Sequence, residues 1–387
     1  MNISLQKVVV FCLMLCIIST QGMLNFFVLN WLGDGGLKSL VPPISMALLF
    51  TFVILNKNRS FVLKGFDLFL ILYILILLVV AAFSGLQASS VFYAFRELLL
   101  LFVLILLAEN IEISKADASA INRLLFILVV LNLAAVCYTY FVGPEGYMKT
   151  LTGRYFWPKD PKYFFTISTF YDFWRSPGLV GQFADLGLFA VLSCFIFLRH
   201  QASKLYIGAA LVLVLLALSR TAYVPLLIYL LYYFLTGQKI LKLLIKYYYV
   251  LFILMIPIVW MLFRKQVFST ESLMMRFEFW DNIISASDYS WFYGGRIGTI
   301  GQASELGWFA QVLDSYWIYL FLSTGLIGIV LVLNFFFERV LSYRLLSVIA
   351  LGFLVSGLFT TLTQSYSFLL LFPFLFLKIK PESNELT

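Results

Sequence analysis

Runs of about twenty apolar residues, cut by short charged loops, constrain this chain more than any other feature. One helix needs about 20 such residues to cross the hydrocarbon core of a bilayer. Twelve stretches qualify, near 7–30, 39–56, 66–84, 90–108, 120–142, 178–198, 205–219, 221–236, 246–263, 312–336, 342–361 and 364–378. The seventh and eighth are short and share the hinge Ser219-Arg220-Thr221. Charged residues make up 12% of the chain and mean hydropathy is +0.97. A soluble domain carries about 25% charged residues. The expected fold class is therefore an all-α polytopic membrane protein of about twelve transmembrane helices. It forms a single transmembrane domain over residues 1–379, and 380–387 form a polar cytoplasmic tail. The N-terminal run reads as an uncleaved first span, because no small-residue cleavage site follows it.

Lys and Arg in the short loops orient the spans. Lys7, Lys57, Arg59, Lys64, Lys115, Arg123, Arg199, Lys204, Lys239, Lys242, Lys246, Arg339, Arg344, Lys378 and Lys380 fall at one set of ends. The short loops at the other ends hold only Lys38 and Arg220. Both termini are then expected in the cytoplasm. Two long loops, about 143–177 and 264–311, fall outside. They carry Arg154, Arg175, Arg264, Arg276 and Arg296. Long loops cross largely regardless of charge, so these arginines do not conflict with the orientation.

The net charge of +8 is spread over inter-span loops with no basic domain, which gives no reason to expect nucleic acid. Cys12, Cys16, Cys137 and Cys194 lie in apolar spans without metal-ligand spacing and read as small buried hydrophobes. No metal or cofactor is expected. The single histidine, His200, adjoins Arg199 and reads as a solvated loop residue.

Charges near the outer span ends are candidate functional groups, because a charge in a span costs several kcal/mol unless paired or hydrated. They are Arg96, Arg220 and Asp185, with pairing of Arg96 to Glu97 or Asp185 as the structural alternative. Asp314 tops the tenth span, where a helix cap is the plain alternative. The first long loop interleaves aromatics with Lys149, Arg154, Lys159, Lys162 and Arg175; such rings serve sugar stacking or interfacial anchoring. In the second, the glycines of FYGGRIGTIG suggest a tight turn whose N–H groups meet an oxygen-rich ligand. The segment lacks the Gly-Lys-Ser/Thr ending of a nucleotide loop. Guanidinium groups bind phosphate oxygens in bidentate fashion and stay charged, so clustered outer arginines suit a lipid-linked pyrophosphate. No Asp-x-Asp occurs to hold a metal on a leaving diphosphate.

The segments RSPGLVGQFADLG, LALSRTAYVPLL, RFEFW…FYGGRIGTIG and LDSYWIYLFLSTGLIG, in that order, resemble the pattern shared by bacterial O-antigen polymerases and O-antigen ligases. The resemblance spans about Arg175–Val332. It implies a GT-C-like, metal-independent, inverting glycosyltransferase of the bacterial inner membrane with a periplasmic active site. Its implied substrates are undecaprenyl-pyrophosphate-linked repeat units. Ligases of this family carry a histidine just before the Gly-rich helix; here Asp314 occupies that place, which favours polymerase over ligase. The base stays open, with Asp314 first and Glu278 and Glu305 behind it. Arg276 and Arg220 would stabilise the donor pyrophosphate. Arg175, Arg96 and Arg296, with Asp185, Glu278 and Tyr316, would shape the cavity or hold the acceptor. Membrane lipids, a chain-length regulator and a flippase are the implied partners. The alternatives are an O-antigen ligase, a lipid-linked oligosaccharide flippase and a membrane scaffold. Sugar identity and linkage have no readable code in these loops.

Overall fold

The computed structural model describes residues 5–24, 47, 64–152, 168–170, 173–235, 271–286, 289–300, 315–340 and 344–380. The expected spans near 39–56, Ala47 excepted, and near 246–263 lie outside them. The described chain runs α1 (Leu5–Ser19), α2 (Gly65–Phe83), α3 (Ala88–Phe95), a π turn (Arg96–Leu100), α4 (Leu101–Glu109), β1 (Glu112–Ile113) and α5 (Lys115–Thr152). The hairpin β2 (Ser168–Phe170) and β3 (Phe173–Arg175) follows, then α6 (Phe183–Arg199), α7 (Lys204–Leu216), α8 (Arg220–Leu235) and α9 (Glu271–Ala286). The last elements are α10 (Tyr316–Val340), α11 (Arg344–Ser356), α12 (Tyr366–Leu371) and β4 (Lys378–Ile379).

Among the described residues four helical stretches are long and apolar enough to cross a membrane: Gly65–Phe83, Ala88–Glu109, Lys115–Pro144 and Tyr316–Arg339. On α2 the buried positions Asp67, Leu70, Ile74, Leu78 and Ala81 form one stripe at helical spacing. Phe66, Phe69, Leu72, Ile76, Val79, Val80 and Phe83 are exposed around the rest of it. A helix apolar all round yet buried along one stripe is solvated by lipid on its other faces. The protein is thus an all-α membrane protein. The stretch expected to span at 364–378 is instead a short composite of 3-10 and α turns, Leu362–Gln364, Tyr366–Leu371 and Phe372–Phe376, interrupted at Pro373. Cys12, Cys16 and Cys194 are buried as expected, whereas Cys137 is exposed on α5.

The chain divides into two compact units. The first comprises Met1–Val62, Val103–Tyr223 and Ser365–Thr387. One end of it collects expected cytoplasmic charges. Gln6 Nε2 donates to Asp117 of α5 at 3.1 Å, and β1 pairs in parallel with β4. Ser114 and Asp117 cap α5 reciprocally, the Ser114 hydroxyl donating at 2.7 Å and the Asp117 N–H bonding back at 3.1 Å. His200 sits past the end of α6, only partly exposed, its Nδ1 3.0 Å from Asn122 Oδ1. This corrects the expectation of a solvated loop. Burial and neighbouring Arg199 push its pKa down to about 4, opposed by the Phe374 backbone. The start of the 143–177 segment continues α5 as helix to Thr152, across a break at Gly143 (φ +77°) before Pro144.

The second unit comprises Leu63–Phe102 and Val224–Gln364. At one end of α2 and α10, Arg339 clasps Asp67 through two bonds of 2.7 and 2.8 Å. Lys64 Nζ donates to the Glu338 carbonyl beside it. The pairing puts Lys64 and Arg339 at the same end of an antiparallel helix pair, as the charge bias requires. Within the expected 264–311 loop, α9 is amphipathic, burying Trp280 and exposing Glu278, Asp281 and Asn282.

Candidate functional site

The candidate residues fall into two groups, one within each unit.

In the first unit the sequence Arg175-Ser176-Pro177-Gly178-Leu179-Val180-Gly181 forms a turn between β3 and α6. Intramembrane polar side chains hold it. The Asn132 amide donates to Gln21 Oε1 at 2.7 Å, and its Oδ1 accepts from Leu179 N–H at 2.8 Å. Thr139 and Ser176 hydroxyls lie 2.8 Å apart, and Tyr147 donates to the Gly178 carbonyl at 2.7 Å. Gly178 has φ +55°, and a Cβ there would lie 2.6 Å from Asn132 Oδ1. Only glycine fits this position. Arg175 leaves the fixed turn with its guanidinium 4.7 Å from the Phe183 ring centre. Asp185, expected about two turns into its span, lies in the first turn of α6, because the turn occupies the start of that stretch. A Cβ at Gly187 would meet Ser219 Cβ at 2.5 Å, so α6 lies directly against the hinge before α8. The hinge is real: Leu218 has φ +48° and the Ser219 and Thr221 hydroxyls meet at 2.7 Å. Arg220 begins α8. Arg175 and Asp185 thus flank the start of α6, and Arg220 starts the helix after the hinge that α6 packs on.

In the second unit Arg96 and Glu97 occupy the π turn between α3 and α4 and are buried, 4% and 1% exposed. The extra residue of a π turn frees backbone groups and often marks function. Arg96 Nη2 lies 3.4 Å from Glu97 Oε1, the pairing the sequence allowed, and its guanidinium sits 5.2 Å from the Tyr93 ring centre. Tyr319 of α10 faces both Glu97 and Ser323. One turn earlier, Tyr316 is buried and its hydroxyl has no hydrogen-bond partner among the described residues. The same holds for Ser323 Oγ, Thr363 Oγ1 and Gln364 Nε2. The 3-10 turn Leu362–Gln364 packs on the π turn. Unsatisfied buried polar atoms are few in folded proteins, so such a group points to a site that meets a polar ligand or water.

Helix α10 is broken at Gly325 (φ +65°), where the sequence suggested a continuous span. The segment 290–296 repairs the break. Leu326 and Ile327 N–H donate to the Trp291 and Phe292 carbonyls at 2.9 and 3.1 Å. Gly295 and Arg296 N–H donate to the Ser323 and Leu322 carbonyls at 3.4 and 3.1 Å, and Tyr73 donates to the Thr324 carbonyl at 2.7 Å. A Cβ on Gly294 would lie 2.5 Å from the Ser323 backbone. The glycines thus allow close approach to the broken helix. The N–H groups of Gly294, Gly295 and Arg296 are spent on protein carbonyls, which corrects the expectation that they meet a ligand. Arg296 itself stays half-buried beside α10, its Nε without a hydrogen-bond partner among the described residues.

Arg276 lies on α9 and Glu278 is exposed two residues on. Asp314 and Glu305 lie outside the described residues, as do Arg154, Lys159, Lys162 and the aromatics of 155–167. Glu97, Tyr319 and Asn132 were missed as site residues in the sequence, although a carboxylate or amide inside an apolar run is itself the signal. Among the described residues no group of three His, Cys, Asp or Glu side chains could hold a metal. A small cavity lined by Leu13, Cys16, Leu104, Ile111 and Phe374 is apolar and offers no group to a polar substrate.

Compared with known proteins, the chain matched no protein family, no curated protein and no solved structure. Fold and site define its class as an all-α membrane protein with buried ionisable groups at helix irregularities.

Proposed function

We propose that the protein is a membrane glycosyltransferase that polymerises a surface polysaccharide of the O-antigen kind. It has about twelve spans in a GT-C-like arrangement in a bacterial inner membrane, with its site on the periplasmic side. The growing glycan moves en bloc from one undecaprenyl pyrophosphate to the non-reducing end of a new lipid-linked repeat. The acceptor hydroxyl attacks the donor anomeric carbon, the bond from that carbon to the pyrophosphate oxygen breaks, and a carboxylate takes the hydroxyl proton. Undecaprenyl pyrophosphate leaves.

The observation that carries this proposal is Arg96, buried on a π turn inside a 22-residue apolar stretch. A permanently charged guanidinium at that place is costly unless it serves an anion or a fixed partner. Arg175 on its braced turn and the Arg220 hinge give the first unit a second cationic group. Arg276 and Arg220 would stabilise the leaving pyrophosphate, and Arg96, Arg175 and Arg296, with Asp185, Glu278 and Tyr316, would hold or shape the acceptor side. Asp314 is the proposed base. Glu97 competes for that role because it is buried beside Arg96 and Tyr319.

Purified protein incubated with defined lipid-linked repeats should extend them into a ladder. Transfer only onto lipid A core would make it a ligase, and leaflet exchange without bond formation a flippase. In the same assay Arg276→Ala and Arg276→Lys should accumulate the single repeat; full-length polymer from both would remove Arg276 from the site.

A further inference from the structure

We infer that residues 290–300 form a re-entrant hairpin that enters the bilayer beside the broken α10 and presents Trp291, Phe292 and Tyr293 to lipid chains. The inference rests on the membrane reading of the fold and is independent of any glycosyl chemistry.

Depth follows from helix geometry. The Asp67–Arg339 pair closes one end of the α2–α10 pair, next to Lys64 and Glu338. Leu326 is thirteen residues from Arg339 along α10, about 20 Å of helix. Tyr73, about 9 Å of helix beyond Asp67, reaches the Thr324 carbonyl from α2. The two helices thus put the break between about 9 and 20 Å from the ion pair, within a hydrocarbon core about 30 Å thick. The hairpin tip is bonded to that break through the Trp291 and Phe292 carbonyls. From there the chain rises: a Cβ on Gly298 would contact Leu86 and Ser90, where α3 begins. The segment therefore runs from the level of Leu326 to the level of the α2–α3 connection.

Backbone at membrane depth is tolerated only where its polar groups are satisfied. Here they are. Ser290 and Gly294 exchange two N–H···O bonds of 2.7 Å, and the remaining bonds run to the two halves of α10. The side chains then decide what the tip meets. Trp291, Phe292 and Tyr293 are 58–68% exposed, and the bonded residues Leu326 and Ile327 are each 43% exposed. Together with Val330 they form one continuous apolar surface on a helix of membrane-spanning hydropathy. A patch of that size on a protein surface meets either a partner or a membrane. Continuity with lipid-facing α10 selects lipid chains of the half of the bilayer remote from the Asp67–Arg339 pair.

The test uses full-length protein with its four cysteines replaced and single cysteines at Phe292, Tyr293, Ile327 or Asp281, spin-labelled and reconstituted into phosphatidylglycerol and phosphatidylethanolamine vesicles. All four positions except the half-exposed Ile327 are well exposed, so the labels leave the core packing in place. Power-saturation measurements compare collision with oxygen, which enriches in hydrocarbon, and with a nickel chelate, which stays in water. The Phe292 and Tyr293 labels should match Ile327, with oxygen contact several-fold above that of Asp281 and nickel contact several-fold below. Nickel contact at both tip positions equal to that at Asp281 would overturn the inference, whether the hairpin stood in bulk water or lined an aqueous cavity.

Discussion

Removing Arg339 should unfold this protein more readily than any other single charge change among the described residues. Its guanidinium makes two charge-assisted bonds to Asp67, at 2.7 and 2.8 Å, and a third to the Phe335 carbonyl at 3.1 Å. It also lies 3.7 Å from the Phe335 ring centre. Bonds to charged groups contribute about 1.5–3 kcal/mol each, and a desolvated cation–π contact about 2 kcal/mol. Against this stands the desolvation of two ions that are 1% and 0% exposed, several kcal/mol each. The pair is therefore near balance as a unit, while either ion alone is not. Arg339→Leu leaves the Asp67 carboxylate buried with the Lys64 N–H as its remaining bond, and should cost about 3–5 kcal/mol. Asp67→Leu with Arg339→Leu should lie within about 1–4 kcal/mol of wild type, on the neutral-to-stabilising side. The assay is reversible unfolding in mixed micelles on adding SDS, followed by tryptophan fluorescence and far-UV circular dichroism. A loss below about 1 kcal/mol for Arg339→Leu, or a double variant as weak as the single, would refute the reasoning.

Three further perturbations test other parts of the structure. Asn132→Leu removes bonds to Gln21, Leu128 and Leu179 and leaves the Leu179 N–H and the Gln21 carbonyl oxygen without them; stability should fall by about 1–3 kcal/mol in the same SDS assay, while Asn132→Asp should restore only the bond from Leu179. Gly294→Ala places a methyl against Ser323 at a φ of +73°, so unfolding should be easier by at least about 1 kcal/mol, whereas Gly295→Ala, whose Cβ meets nothing, should pay only for its positive φ. His200 is held neutral in the fold, with a pKa of about 4 against 6.5 for the free side chain. Between those values the unfolded chain binds a proton that the folded chain does not, so stability should be full above pH 6.5 and fall as pH drops towards 4, by at most about 3 kcal/mol. His200→Asn should flatten that part of the profile; an unchanged slope would show that His200 does not set it.

Membrane character and the shared end of Lys64 and Arg339 were legible because both follow from local composition. A lipid-facing helix such as α2 must be apolar on every exposed side, and a run of that length has few other uses. The hinge at Ser219–Thr221 was legible for a related reason, since it is a short-range backbone signal, whereas the glycine turn after Arg175 was read as the start of a span. What escaped depended on contacts far apart in sequence. Nothing local in YAFRELLLLF distinguishes a π turn from an α turn. Likewise LSTGLIG carries a glycine that a spanning helix would tolerate, and its break follows from the hairpin more than thirty residues earlier taking over the backbone bonds. The glycines of FYGGRIG were read as ligand-facing because a tight turn frees N–H groups, yet which carbonyl receives them is a tertiary question. His200 looked solvated from its charged neighbour; Asn122 on α5 and the Phe374 backbone bury it.

The irregular backbone of the second unit has one physical theme. A π turn at Arg96–Leu100, a break at Gly325 and a 3-10 turn at Leu362–Gln364 each interrupt helical pairing within an apolar chain. In lipid such interruptions cost several kcal/mol per unsatisfied group. The break at Gly325 avoids that cost by borrowing carbonyls and N–H groups from the hairpin. The π turn and the 3-10 turn pack on each other and surround themselves with Glu97, Tyr319, Ser323 and Thr363. An uninterrupted apolar bundle would be simpler to insert and to pack. Retaining three interruptions around Arg96 is sensible only if the polar groups they gather are used, which is why the proposed chemistry is anchored there and not in the glycine-rich hairpin.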